Sequence, residues 1–105
     1  MQSIEISTIF AALADPTRLA LVKTLSDGTS RSIVALSQNG SITRQAVTKH
    51  LTVLEQAGLV EREKVGRESR FRLHPAPLVD ARTYLATVSA QWDDALQRLC
   101  HFVED

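Results

Sequence analysis

The sequence predicts a mainly α-helical fold with one small β-hairpin, and three observations carry that reading. Apolar residues recur at helical spacing along most of the 105-residue chain. Between about residues 59 and 73 the pattern changes to alternation around Gly66-Arg67. After the hairpin the helical spacing resumes in the longest helical stretch of the chain.

The first helix is expected over 4–14, IEISTIFAALA, with Ile6, Ile9, Phe10 and Leu13 on one face. Asp15-Pro16 ends it: Asp15 can cap the next helix, and Pro16 suits a first position that needs no N–H. That second helix, roughly 16–26, carries Leu19, Val22 and Leu25 inward and stops at Ser26-Asp27-Gly28. Ser30 can cap a short third helix through Ile33, Val34 and Leu36, which Asn39-Gly40 breaks. Thr43 can cap a fourth, about 44–57, on which Val47, Leu51 and Leu54 face the core. Gly58 ends it, being free to take the left-handed conformation.

Two strands follow, about 59–65 and 69–73. Phe71 and Leu73 alternate with Arg70 and Arg72, a half-buried strand with a basic outer face. Pro75 and Pro77 close the hairpin. The last helix, about 78–103, places Leu78, Ala81, Leu85, Val88, Trp92, Ala95, Leu99 and Phe102 in alternating steps of three and four. Such a seam asks for a partner helix, and Trp92 reads as part of its packed core. Helix, turn, helix and hairpin in this order are the winged helix-turn-helix plan. The expectation is one such domain over 1–105, with a recognition helix at 44–57, a wing at 59–73 and a dimerisation helix at 78–103.

Composition is that of an ordinary soluble globule, with 44% hydrophobic and 23% charged residues. No apolar run approaches the ~20 residues that span a bilayer, so no membrane partner is expected. MQSIEISTIF lacks a basic start and does not read as a secretory signal. Cys100 is the sole cysteine, which excludes an internal disulfide and fits the reducing cytoplasm.

Net charge is zero, but the charge is unevenly distributed. Residues 43–73 hold seven basic and four acidic side chains, a surplus of three, and the rest of the chain holds five basic and eight acidic. One positive face on an otherwise acidic molecule suits a polyanion. On the fourth helix Gln45, Thr48, Lys49 and Thr52 form an outward stripe, residue types that pair with adenine, thymine and guanine edges or with phosphate. Thr43 and Arg44 stand at the N-terminal mouth, which attracts phosphate. Lys64, Arg67 and Arg70 are placed at the hairpin tip, where long cations can lie on the backbone. The same stripe also suits a plain amphipathic surface helix, and basic outer faces also protect edge strands.

The segments FAALADPTRLALVKTLSDG and RQAVTKHLTVLEQAGLVEREKVGRESRFRL resemble the arsenic-repressor (ArsR) family of bacterial winged-helix transcription regulators. The Asp15-Pro16-Thr17-Arg18 turn, the AVTKHL core, the LEQAGLV join and the Gly66-Arg67 wing occur in order over about residues 8–78. The resemblance implies a homodimer joined by the first and last helices, here through Ile6, Ile9, Phe10, Leu85, Val88, Trp92, Leu99 and Phe102. It also implies repression by occupying a promoter. His50 matches a usual family position and is read as anchoring the helix or contacting phosphate.

Many members of that family release DNA on binding metal, and their ligand sets are missing here. The third-helix region, SRSIVALSQ, has no Cys, His or acid where a cysteine pair would sit. His101-Phe-Val-Glu104 matches half of a last-helix site, but the other half falls near Val88 and Ala90, which cannot ligate. No metal and no cofactor is therefore expected, and no phosphate loop or nucleophile motif points to an enzyme. The expected function is a homodimeric repressor that binds a near-palindromic double-stranded operator and controls its own operon. The alternatives are a winged-helix protein-interaction module and a metal- or redox-responsive sensor of the same fold.

Overall fold

The computed structural model describes residues 5–38 and 42–104. Helix α1 (Ile6–Leu13) buries Ile9 and Ala12. It ends at Ala14, and Asp15 begins α2 (Pro16–Thr24) as the sequence indicates: its Oδ2 accepts from the N–H groups of Thr17 and Arg18 at 2.8 and 3.0 Å. A 3₁₀ turn over Leu25–Asp27 closes the helix, and Gly28 leaves it at φ +83°. Leu21, Val22 and Leu25 are buried, whereas Leu19, expected inward, is 40% exposed. Two residues turn a helix by about 200°, so with Leu21 in the core Leu19 faces outward.

Strand β1 (Arg31–Ser32) was not anticipated. Two residues are too short for a periodic signal. Ser32, rather than Ser30, then caps α3 (Ile33–Ser37), its Oγ accepting from Ala35 N at 3.1 Å. The Asn39-Gly40 break lies outside the described residues. Helix α4 (Arg44–Gln56) starts at the foreseen cap, with Thr43 Oγ1 accepting from Ala46 N at 3.1 Å. Gly58, at φ +76°, ends it. Its N–H donates to Glu55 O at 3.0 Å and the next, Leu59 N–H, to Leu54 O at 2.9 Å. This paired closure satisfies two helix carbonyls and turns the chain into the sheet.

Strands β2 (Val60–Val65) and β3 (Glu68–Leu73) pair antiparallel from Val60↔Leu73 to Val65↔Glu68, joined by Gly66-Arg67. The sheet order is β1-β3-β2, with Arg31 opposite Phe71 and Ser32 opposite Arg70. The hairpin is thus the outer part of a three-stranded sheet. Phe71, Leu51, Leu54, Leu59, Val47, Leu25 and Ile9 are the fully buried centre of the core. Helix α5 (Ala76–Glu104) begins two residues before the expected start, because Pro77 is tolerated in a first turn; Pro75 O accepts from Leu78 and Val79 N–H. At ~1.5 Å per residue its 29 residues make it the longest of the described helices.

Candidate nucleic-acid interface

Burial of Val47, Leu51 and Leu54 fixes the rotation of α4. With those side chains inward, Arg44, Gln45 and Lys49 are exposed and Thr48 and Thr52 half-exposed. Arg44, Gln45, Thr48 and Lys49 together line one open concavity of the surface. The two threonine hydroxyls already donate within the helix, Thr48 to Arg44 O at 2.8 Å and Thr52 to Thr48 O at 3.0 Å. They present lone pairs and methyl groups outward rather than protons. Thr43 Oγ1 is engaged as the cap.

The cations of the basic segment are sorted by their partners. Arg62 pairs with Glu55 at 3.3 Å, Arg70 with Glu68 at 2.9 Å and Arg72 with Glu61 at 3.3 Å. Among the described residues Arg44, Lys49, Lys64 and Arg67 have no carboxylate within pairing distance. Within residues 43–73 the cations without a carboxylate partner therefore lie on the outer face of α4 and at the hairpin tip. Gly66 makes that tip, at φ +62°, a conformation other residues adopt at a cost of about 1 kcal/mol or more.

One residue expected at this surface is placed differently, and His50 takes one of its two expected roles. Arg70 is not at the tip. It lies mid-strand on β3, where Nε and Nη2 donate to Ser30 Oγ and O at 3.0 and 2.8 Å and Nη1 to Glu68 at 2.9 Å. All three nitrogens are committed, so Arg70 fastens the sheet to the strand that leads into α3. His50 is half-buried on the flank of α4, with Nδ1 3.4 Å from Arg18 Nη1 and 3.9 Å from Asp15 Oδ2. Its surroundings are those of a helix anchor. Hydrogen bonds from Arg18 N–H and then Thr17 N–H, helped by the nearby Arg18 guanidinium, hold the Asp15 carboxyl below its usual range.

Arg18 itself was not among the expected site residues. It belongs to a motif whose turn the sequence marks, but its long-range partners are invisible to spacing. Its Nε donates to Ala12 O at 2.7 Å and its Nη2 to Ala11 O at 3.3 Å.

A family described as a helix-turn-helix domain matches residues 13–63. The chain is 42% identical over 76 residues to the uncharacterized HTH-type transcriptional regulator YuzN of Bacillus subtilis, covering 67% of this chain and 83% of that one. A solved structure of an ArsR-like transcriptional regulator from Rhodococcus sp. RHA1 is 38% identical and superposes with a TM-score of 0.76, over 90% of this chain and 88% of that one. This chain belongs to the ArsR family. A further neighbour shares the fold, with a TM-score of 0.62 and 24% identity over 89% and 82% of the two chains. It is a homodimeric winged helix-turn-helix DNA-binding domain from Mycobacterium bovis. ArsR-family proteins are DNA-binding regulators of transcription, not enzymes.

The residues expected at an ArsR dimer interface divide in two. Ile9 is 0% exposed and belongs to the core of its own protomer, which removes it from that surface. Ile6 and Phe10 are half-buried beside it, and Phe10 meets Tyr84 of α5 with ring centroids 6.2 Å apart. Val88 is partly covered, while Leu85, Trp92, Leu99 and Phe102 are exposed, Trp92 at 64% and Phe102 at 81%. Among the described residues no three His, Cys, Asp or Glu side chains form a metal-ligand group, and no helix is long and apolar enough to cross a membrane.

Proposed function

We propose that this ArsR-family protein is a homodimeric repressor that works in the cytoplasm, reads a near-palindromic operator and controls its own operon. The observation that carries the reading is the sorting of charge. Arg44 and Lys49 stand without a carboxylate partner beside Gln45 and Thr48, and Lys64 and Arg67 do so at the hairpin tip, while the strand cations Arg62, Arg70 and Arg72 are paired. Helix α4 enters the major groove, Gln45, Thr48 and Lys49 meeting base edges and Arg44 the phosphate at its mouth. Lys64 and Arg67 lie on the backbone beside it. Two copies join through α1 and the exposed seam of α5. Leu85, Trp92, Leu99 and Phe102 are large apolar side chains left exposed along one helix, the kind of surface that marks a protein–protein contact, and the Mycobacterium bovis neighbour is homodimeric. Promoter occupancy by such a dimer blocks transcription.

The test is fluorescence anisotropy with the DNA immediately upstream of the coding sequence and a scrambled duplex, at two salt concentrations. Selection from a randomised duplex pool runs alongside. Tight, salt-sensitive binding to the upstream piece alone supports an autoregulator. Selection of an unrelated site moves the operator elsewhere. No binding to any duplex at low salt sinks the DNA reading and favours a protein partner for the α4 face.

A further inference from the structure

Arg18 stands where three helices meet. Its backbone N–H sits on the Asp15 cap at the start of α2. Its side chain turns back so that Nε and Nη2 donate to Ala12 O and Ala11 O in the last turn of α1, at the negative end of that helix's dipole. The remaining nitrogen, Nη1, lies 3.4 Å from His50 Nδ1 on α4. One side chain thus joins the helix of the dimer face to the helix of the DNA face.

The contact with His50 holds in one protonation state only. A guanidinium can only donate, so Nδ1 must accept, which requires a neutral ring with its proton on Nε2. Protonation makes Nδ1 a donor and sets two cations against each other. The acceptor available to the charged ring is Asp15 Oδ2, 3.9 Å away. Helix α3 contains no titratable residue, and the sheet meets α4 through Arg62 and Glu55, further along the helix. On its own helix the neighbour Lys49 is exposed.

We propose that Arg18 is a positioning residue for DNA recognition: through a neutral His50 it clasps α4 to the end of α1, and protonation of that imidazole opens the clasp and weakens binding to DNA. This rests on α4 being the helix that reads DNA.

The test is a pH series. The duplex that binds best in the experiment above is titrated between pH 8 and pH 5.5 at constant ionic strength. The proteins are wild type, His50→Gln, and the double variant His74→Gln, His101→Gln. Wild type and the double variant should lose about tenfold in affinity between pH 8 and pH 5.5. His50→Gln, whose amide oxygen can accept from Nη1 without titrating, should match wild type at pH 8 and stay flat. Acidification ordinarily adds positive charge and tightens DNA binding. Tighter wild-type binding at pH 5.5 would therefore place His50 on a phosphate and overturn the clasp, as would an acid loss that persists in His50→Gln. A second readout needs no DNA. The Arg18 Nε–H, held by Ala12 O, is followed by NMR while His50 titrates, and its exchange with water should quicken in step with the ring. An indifferent Nε–H overturns the clasp, whereas a responsive one with no duplex bound at any pH retains the clasp and sinks the DNA reading.

Discussion

Leu59 N–H donates to Leu54 O at 2.9 Å, and both side chains are fully buried. This bond welds the end of α4 to the root of β2, and it depends on Gly58 at φ +76° between them. Gly58→Ala should lower stability by about 1–2 kcal/mol, read as a fall in the urea midpoint. Gly58→Asn, which tolerates the left-handed region better, should lose less. Equal stability of all three proteins would mean that the junction relaxes without cost.

The sorted cations separate two kinds of effect on DNA binding. Gln45→Ala or Lys49→Ala should cost about 1–3 kcal/mol on the preferred duplex and much less on a scrambled one. Arg67→Ala should weaken both duplexes alike and reduce the salt slope by about one. Arg70→Ala should leave the salt slope alone and lower stability by about 1 kcal/mol, because its guanidinium serves Ser30 and Glu68. A changed slope in Arg70→Ala returns that residue to the phosphate contacts.

Trp92 and Ile9 should respond in opposite ways. Trp92→Ala should raise the dimer dissociation constant about 30-fold or more in sedimentation while each protomer stays folded. Ile9→Ala should cost about 2–4 kcal/mol of protomer stability through the cavity it leaves. A Trp92→Ala protein that remains dimeric at submicromolar concentration removes the α5 seam from the interface.

Acid should weaken the fold through Asp27. Hydrogen bonds from Thr29 N–H and Oγ1 and from Arg31 hold its carboxyl down to about 2, against ~3.9 in an unfolded chain. The folded-state value is the lower one, so the stabilisation is complete above about pH 4 and is lost as pH falls from there toward 2. Asp27→Asn cannot titrate. The stability gap between it and wild type, measured by urea unfolding, should close across that window, and a constant gap contradicts the assignment.

Helix α4 was legible because its signals are local. Thr43 caps it, Gly58 stops it, and Val47, Leu51 and Leu54 repeat at steps that leave Gln45 and Lys49 outside. What escaped was set by contacts distant in sequence. Arg62, Arg70 and Arg72 look alike on alternating strands, and only the register and the approach of Glu55, Ser30 and Glu61 decide that they are engaged. Ser30 and Ser32 are equally good caps by type, and the pairing of Ser32 with Arg70 selects between them. Ile9 and Phe10 share one stripe, and its division between core and surface follows from where α5 crosses it. The three partners of Arg18 lie on two other helices, so no periodicity announces them.

The smallest element has a kinetic consequence. Ser30, which immediately precedes β1, and Arg70 on β3, which bonds to it, are 40 residues apart in sequence. The β2–β3 hairpin can zip locally, but the sheet is complete only when its last strand returns to the segment before α3, enclosing α3 and α4 in the loop. Closing a loop of that length costs entropy before any of its contacts is made. A chain emerging from the ribosome therefore holds both helices of the motif for some time without the edge that finishes them. The two-residue strand can pair only after β3 has emerged, so it closes the sheet after both helices have been made.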